Sequence, residues 1–398
     1  MRFIFLSAGC HPDQVGGAYR YVSEVTERLA ARNHHVAVIH PGKDERIGSR
    51  LSTSGASRHR FPPGRGLFFN NWRQRNSAAR RILQELTARC HEPRLNVLCH
   101  AYFEPAFAGH RGPAAFLFTG PWAEEFLSSR SFRWPRCWLD RLIAAQMRAS
   151  ERRALRSVDR ILTISRFYEA QLPRWRGAGL PPIRLISGGV NTEQFCPVAD
   201  RTAARAQFDV QPDEFLFLTV RRLEPRMGLH GLIDAFASVA PQFPRARLWL
   251  AGEGSQRDNL QSCIDSHQLN GQIRLVGFVP EADLPALYNA ADCTLMPSLD
   301  LEGFGLATVE SLACGTPVLG SRAGATPELL APLSEALLFD ATTPGMFSNQ
   351  LRAILQGEQV LPSRAQCRDY ARTHFSWDQT VAGFEGAFLD LCGAGGGA

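Results

Sequence analysis

The chain contains one lysine, Lys43, among 44 basic residues, and only five methionines. Its positive charge is therefore almost all arginine, which a GC-rich coding sequence explains by itself, and no function is read from it. Long apolar runs are lacking as well. Nothing approaches the ~18 uninterrupted apolar residues of a membrane helix, which argues against a bitopic membrane protein. The charge-free stretch Ser311–Ser321 is short and broken by Gly and Pro. The apolar opening Met1–Leu6 ends by Ala8, short of the ~7–15 residues of an export signal core, and His11-Pro12-Asp13 follows. Cys10 after Ser-Ala-Gly resembles a lipoprotein cleavage site, but too little precedes it, so a first buried strand is expected. The ten cysteines form no CxxC pair and no metal-ligand rhythm. A chain of this length builds a core without disulfides, so the reduced thiols of a cytoplasmic protein are expected.

A length of 398 residues suits two or three domains. Apolar residues at 44% and charged residues at 21% exclude a disordered, collagenous or coiled-coil chain. The net charge of +6 hides an asymmetry: residues 1–190 carry 30 Lys and Arg against 14 Asp and Glu, and residues 191–398 carry 14 against 24.

Apolar periodicity gives the organisation. Phe3–Leu6 reads as a strand, Gly16-Gly17 as a turn, and Tyr19, Val22, Val25, Leu29 and Ala30 as one face of a helix before a second strand, Val36–Ile39. Residues 43–75, with Pro62-Pro63-Gly64, read as a long loop with short elements. Asn96–Cys99, Ala115–Phe118, Arg160–Ile164 and Ile183–Ile186 are further strands. Arg136–Arg156 reads as a basic helix with Trp138, Leu142, Ile143 and Met147 on its apolar side. In the second half, strands Phe215–Val220, Leu248–Ala251, Ile273–Phe278, Cys293–Met296 and Pro317–Leu319 alternate with helices such as Leu232–Ala240 and Leu284–Ala291. Strands separated by helices imply parallel sheets. The expected fold is α/β, with two Rossmann-like parallel-sheet domains facing a cleft. The boundaries read as 1–188, 189–371, and a C-terminal helix within 372–398 that packs back on the first domain and frays at Gly393–Ala398.

The most informative segment is Glu302-Gly303-Phe304-Gly305-Leu306-Ala307-Thr308-Val309-Glu310, between the strand Cys293–Met296 and a helix running to about Cys314. Glycines at a strand-to-helix turn let a ligand approach the backbone closely. The helix start offers unpaired N–H groups and a partial positive charge, which together suit a diphosphate. Glu302 lies in the loop. Glu310 lies about one turn into the helix, where a carboxylate accepts hydrogen bonds from two neighbouring ribose hydroxyls.

With this spacing, EGFGLATVESLACGTPVLGS resembles the signature of retaining glycosyltransferases of family 4, which have the two-domain GT-B fold. VRRLEPRMGLHGLIDAF (Val220–Phe236), Leu250–Gly254, Val276–Val279, Ala291-Asp292, GGVNTEQF and the Gly16-Gly17 loop occur in the family's order. The resemblance spans most of the chain. It implies that Arg222 binds the donor diphosphate and stabilises the leaving group. The N–H groups of Phe304, Gly305 and Leu306 hold the phosphates, Glu310 the ribose, and Glu302 the transferred sugar. Gly16 and Gly17 close over the phosphates, and Val276–Val279, Val279 among them, lie near the base. Such a reaction needs no cofactor and no metal; a nucleoside-diphosphate sugar is its co-substrate. Two positions depart from the family pattern. The usual lysine is Met227, with Arg226 beside it, and the usual histidine of an N-domain strand end is Thr119 in FTGPWAEE, with His100 a candidate substitute.

The function expected is transfer of a sugar to an acceptor hydroxyl, on a lipid-linked glycan in polysaccharide biosynthesis or on a small natural product. Two alternatives are a non-catalytic partner with a weakened nucleotide site and a sugar-nucleotide epimerase. A dinucleotide oxidoreductase lacks its G-x-G-x-x-G after the first strand. No nucleic-acid motif is present. The basic first half suits peripheral contact with the inner face of a membrane by an otherwise cytoplasmic protein.

Overall fold

The structure, a computed structural model, describes residues 1–398 apart from 15, 43–47, 65–67, 89–91, 130–136, 342–344 and 394–398. The chain divides into two compact units, Met1–Gly188 with Trp377–Ala398, and Gly189–Ser376.

In the first unit, β1 (Arg2–Leu6), β2 (His35–Pro41), β3 (Gly48–Leu51), β4 (Ser57–Phe61), β5 (Leu95–Leu98), β6 (Ala114–Phe118), β7 (Arg160–Thr163) and β8 (Ile183–Leu185) form one sheet in the order β3-β4-β2-β1-β5-β6-β7-β8. All its pairings are parallel except β3 with β4. The central strands are apolar on both faces: Phe3, Phe5, Leu95, Val97, Ala115 and Leu117 are inaccessible to solvent on one, and Leu6, Leu98, Ala114 and Phe118 on the other. That is the composition of a parallel sheet covered by helices on both sides. In the second unit, β9 (Phe215–Val220), β10 (Ala246–Ala251), β11 (Ile273–Gly277), β12 (Cys293–Met296), β13 (Val318–Ser321) and β14 (Leu338–Phe339) are all parallel in the order β11-β10-β9-β12-β13-β14.

Three sequence readings change. Within 43–75 the short elements expected are β3 and β4, but a long helix, Phe68–Ala88, also begins there. That helix was illegible because its packed stripe is narrow, with Asn76, Ala79 and Leu83 buried among arginines and polar residues. In the helix Cys137–Arg156 the packed side is Ala144 and Met147 against Ala123, whereas Trp138 and Leu142 are 61% and 58% exposed. Finally, the chain joins the first unit at Trp377, not at 372. The helix Arg364–His374 stays with the second unit because Arg368 donates to the carbonyls of Phe195, Ala313 and Thr192. The helix Trp377–Cys392 then sets Phe384 and Phe388 against Phe5 and Phe3, at 5.8 and 5.3 Å between ring centres.

A charged cluster is buried in the first unit. The Arg176 side chain is fully enclosed, with Nε 2.6 Å from Glu151 and Nη2 2.7 Å from Glu124. Glu151 also accepts from the Trp122 N–H at 3.3 Å, so one ionic cluster ties three helices together.

The loops at the carboxyl ends of β9 and β12 are zipped together. Gly228 has φ 72°, and a Cβ there would stand 1.9 Å from the Pro297 carbonyl. Leu299 N–H donates to the Arg226 carbonyl at 2.9 Å. Gly324, at φ 59°, backs onto the Glu302 main chain: a Cβ would lie 2.4 Å from its carbonyl oxygen and 2.6 Å from its nitrogen. Ala325 N–H donates to that carbonyl at 2.8 Å.

Two outcomes follow for stability. Arg176→Ala leaves the enclosed Glu151 without its cation, while Glu124 keeps Arg148, and lowers the unfolding free energy by about 3–5 kcal/mol, the usual result of breaking a buried pair. An unchanged urea midpoint contradicts this. Gly324→Ala costs about 1–3 kcal/mol for a side chain at positive φ. A melting temperature equal to wild type would show that the Glu302 loop is not held from behind.

Candidate active site

The strand order of the second unit reverses between β9 and β12, with crossovers leaving to opposite sides. In open parallel sheets the crevice at such a switch point, beyond the strand carboxyl ends, is where ligands bind. The loops there carry Arg221, Arg222 and Arg226 after β9, and Ser298, Glu302 and the helix start after β12.

Glu302 is held firmly. Its Oε2 accepts from Arg221 Nη2 and from Ser298 Oγ, each at 2.8 Å, and the Arg221 and Glu302 side chains are 5% and 15% exposed. Ser298 in turn accepts from Arg221 at 2.8 Å, and its carbonyl accepts from Ser321 Oγ at 2.5 Å. Arg221 Nε and Nη1 are buried and have no hydrogen-bond partner among the described residues. Burial chiefly, with the charges of Arg226 and Arg222, lowers the Arg221 guanidinium below its ordinary range, while Glu302 opposes that shift. The residue before Glu302, buried Leu301, has φ 56°. A branched aliphatic side chain pays steric strain there, and such outliers concentrate at functional sites. Arg226 donates to the Leu301 carbonyl at 3.2 Å and fixes this turn.

Gly305 caps the helix Leu306–Ala313 at φ 87°, and the first main-chain bond back to it comes from Thr308 at 2.9 Å. The N–H groups of the first turn therefore face outward from the helix start. Phe304 is buried, with its ring 6.1 Å from that of Phe375. Glu310 is buried and accepts from the Tyr288 hydroxyl at 3.1 Å. Arg222 is exposed, and its side chain makes no hydrogen bond or ion pair among the described residues. Met227, where the family lysine was expected, is packed in the hydrophobic core beside Leu223, Leu229 and Leu232. Val279 lies in the loop after β11, and Gly277 ahead of it accepts from the Gly252 N–H at 2.7 Å.

The structure thus gathers Arg222, Arg226, Glu302, Phe304, Gly305, Leu306 and Glu310 at one sheet edge. It adds Arg221, Ser298 and Tyr288, which sequence reasoning missed. The doubled arginine of VRRL was the available signal for Arg221, since consecutive residues of an extended segment point opposite ways and one of the pair turns inward.

Gly16, Gly17, His100 and Thr119 belong to the first unit, at the carboxyl ends of β1, β5 and β6. Gly16 caps the helix Gly17–Ala31. His100 Nδ1 accepts from the Tyr102 N–H at 3.1 Å, and its ring centre is 5.0 Å from that of Trp122. Burial lowers the imidazole to about 4. It is neutral at physiological pH, and because Nδ1 accepts, the ring proton sits on Nε2.

The family model described as Glycosyl transferases group 1 matches residues 200–374, and that described as Glycosyltransferase Family 4 matches residues 15–194. A glycogen synthase of Mycobacterium tuberculosis (strain ATCC 25618 / H37Rv) is 27% identical over 400 residues, covering 96% of this chain and 92% of that protein. A D-inositol 3-phosphate glycosyltransferase of Segniliparus rotundus is 28% identical over 229 residues, 56% of this chain and 51% of that one. Among solved structures, the sucrose-phosphate synthase of Thermosynechococcus elongatus superposes with a TM-score of 0.83 at 22% identity, over 99% of each chain. Anabaena HepE, solved in complex with UDP and glucose, gives 0.74 at 19% identity, over 98% of this chain and 99% of that one. With both halves of the chain matched and its two parallel α/β sheets in place, the protein belongs to the family 4 glycosyltransferases and has the GT-B fold.

Proposed function

We propose that the chain transfers a sugar, with retention at the anomeric carbon, from a nucleoside-diphosphate sugar to an acceptor hydroxyl. The observation that carries this reading is the carboxylate of Glu302, fixed by Arg221 and Ser298 beside the open start of the Gly305-capped helix. The amides of Phe304, Gly305 and Leu306 then receive the diphosphate, and exposed Arg222 supplies the cation where negative charge grows on the leaving group. Glu310, anchored by Tyr288, receives the ribose, and Glu302 the hydroxyls of the transferred sugar. Arg226, holding the Leu301 turn, adds positive charge to the site. Val279 lies toward the base. The protein's work in this scheme is positioning and electrostatics, and it uses no metal. The UDP and glucose bound to the HepE neighbour support a donor of this class.

In the first unit, Gly16 and Gly17 serve the donor phosphates, and His100 with Thr119 serves the acceptor side, the neutral imidazole donating from Nε2. We assign the acceptor to glycolipid or polysaccharide biosynthesis because the first unit offers a surface for a lipid bilayer. Trp138, Leu139 and Leu142 are exposed together on the helix Cys137–Arg156, with exposed Arg141 among them. Apolar rings and chains beside arginine suit an anionic interface. No helix among the described residues is long and apolar enough to cross a membrane.

A panel of UDP-, GDP-, ADP- and dTDP-sugars, ranked by thermal stabilisation, identifies the donor. With it, Glu302→Gln and Arg222→Ala each lower turnover by about 10²-fold or more, the scale of losing one charge-stabilising contact. Wild-type turnover in both refutes the reading, and an inverted anomeric configuration in the product, read by NMR, refutes retention. Cosedimentation with anionic phospholipid vesicles tests the surface: the doubly substituted Trp138→Ser, Leu142→Ser protein stays in the supernatant where wild type pellets. Equal partitioning of the two proteins rejects the membrane assignment.

A further inference from the structure

On the helical layer of the second unit, three side chains of metal-ligating type meet. Cys263 and His267 lie four residues apart, and His267 N–H donates to the Cys263 carbonyl at 3.2 Å, so the helix Arg257–Ser266 carries its repeat through both. That spacing stacks the thiol and the imidazole on one face. Asp234 comes from the neighbouring helix Leu229–Val239. His267 Nε2 is 2.9 Å and Cys263 Sγ 3.8 Å from the same oxygen, Asp234 Oδ1, and all three atoms lie within 4.8 Å of one another.

We infer that Asp234, Cys263 and His267 form a binding site for one thiophilic divalent cation of the Zn²⁺ type. Zinc bonds of ~2.3 Å to sulfur and ~2.0–2.2 Å to nitrogen and oxygen, at tetrahedral angles, place ligand atoms roughly 3.3–3.7 Å apart. The observed separations bracket that range, so side-chain adjustment alone closes the site. Thiolate and carboxylate together balance a 2+ charge, and imidazole is the third common zinc ligand. Magnesium and calcium, which take oxygen ligands, do not suit this set. Cys263 is half-buried while Asp234 and His267 are exposed, which leaves the fourth position to water. A thiol that binds such a cation does so as thiolate, so the arriving cation releases a proton to solvent.

The placement separates this site from the sugar-transfer chemistry. The helix Arg257–Ser266 follows β10 and returns toward the start of β11, so it begins at the strand carboxyl edge and ends at the opposite one. His267 lies about 15 Å along it from Arg257, at a rise of ~1.5 Å per residue. A cation here would brace two outer helices.

The test uses the intact chain with cobalt and zinc. One equivalent of Co²⁺ is expected to give a thiolate-to-cobalt charge-transfer band, which Zn²⁺ removes. Saturating Zn²⁺ raises the melting temperature. Cys263→Ser abolishes the band, and His267→Ala and Asp234→Asn weaken zinc affinity at least about tenfold, the loss that even an outer-shell change brings. A chain that gives no band, a band that survives Cys263→Ser, or zinc affinity unchanged in both His267→Ala and Asp234→Asn overturns the site.

Discussion

Between Arg221 and Glu302 the second unit concentrates its constraint. The two charges meet at 2.8 Å, largely out of water, with Ser298 bonded to both. Each would be costly to bury alone, and together they satisfy only part of the guanidinium's hydrogen-bonding capacity, since Nε and Nη1 have no partner among the described residues. Such an arrangement is a poor way to gain stability and a good way to fix one carboxylate in one orientation. The surrounding backbone serves the same end: Leu301 is strained, Arg226 holds its carbonyl, and Gly324 and Ala325 close on Glu302 from behind. Pre-organisation of this kind is what a reaction driven by position and charge requires.

The arginines explain the apparent loss at residue 227. Read along the sequence, methionine for lysine removes a cation from the donor site. In the fold Met227 turns into the core, and three arginines, 221, 222 and 226, remain at the strand edge. Burial first, and then the charges of its two neighbours, lowers the Arg221 guanidinium, and Glu302 opposes that shift. An edge with this excess of positive charge suits a ligand carrying two phosphoryl groups, whatever the residue at 227 contributes.

Strand positions and the Glu302–Glu310 loop were legible because they depend on local signals: apolar runs of four to six residues, glycines at turns and a helix start. The pairing of Arg221 with Glu302 was not, because it joins loops 81 residues apart, and no periodicity reports which of two consecutive arginines turns inward. The helix Phe68–Ala88 escaped for a different reason. Its buried stripe includes an asparagine, Asn76, whose amide bonds the carbonyls of Trp72 and Tyr102 rather than showing any apolar signal. Trp138 and Leu142 misled in the opposite sense, since apolar side chains at helical spacing mark a face without saying that anything covers it.

The same topology separates the two chemistries placed in the second unit. In a parallel α/β sheet every helix returns its chain to the strand amino ends, so glycine-capped helix starts and loop carboxylates collect at one edge, where β9 and β12 part. Side chains near the helix carboxyl ends, such as Cys263 and His267, collect toward the other. Two of that second constellation's three members stand four residues apart along one helix. Asp234, 29 residues upstream of Cys263, reaches it only because the helices after β9 and β10 pack side by side. A cysteine pattern searched for pairs of cysteines misses a thiol whose partners are an imidazole one turn along and a carboxylate from the neighbouring helix.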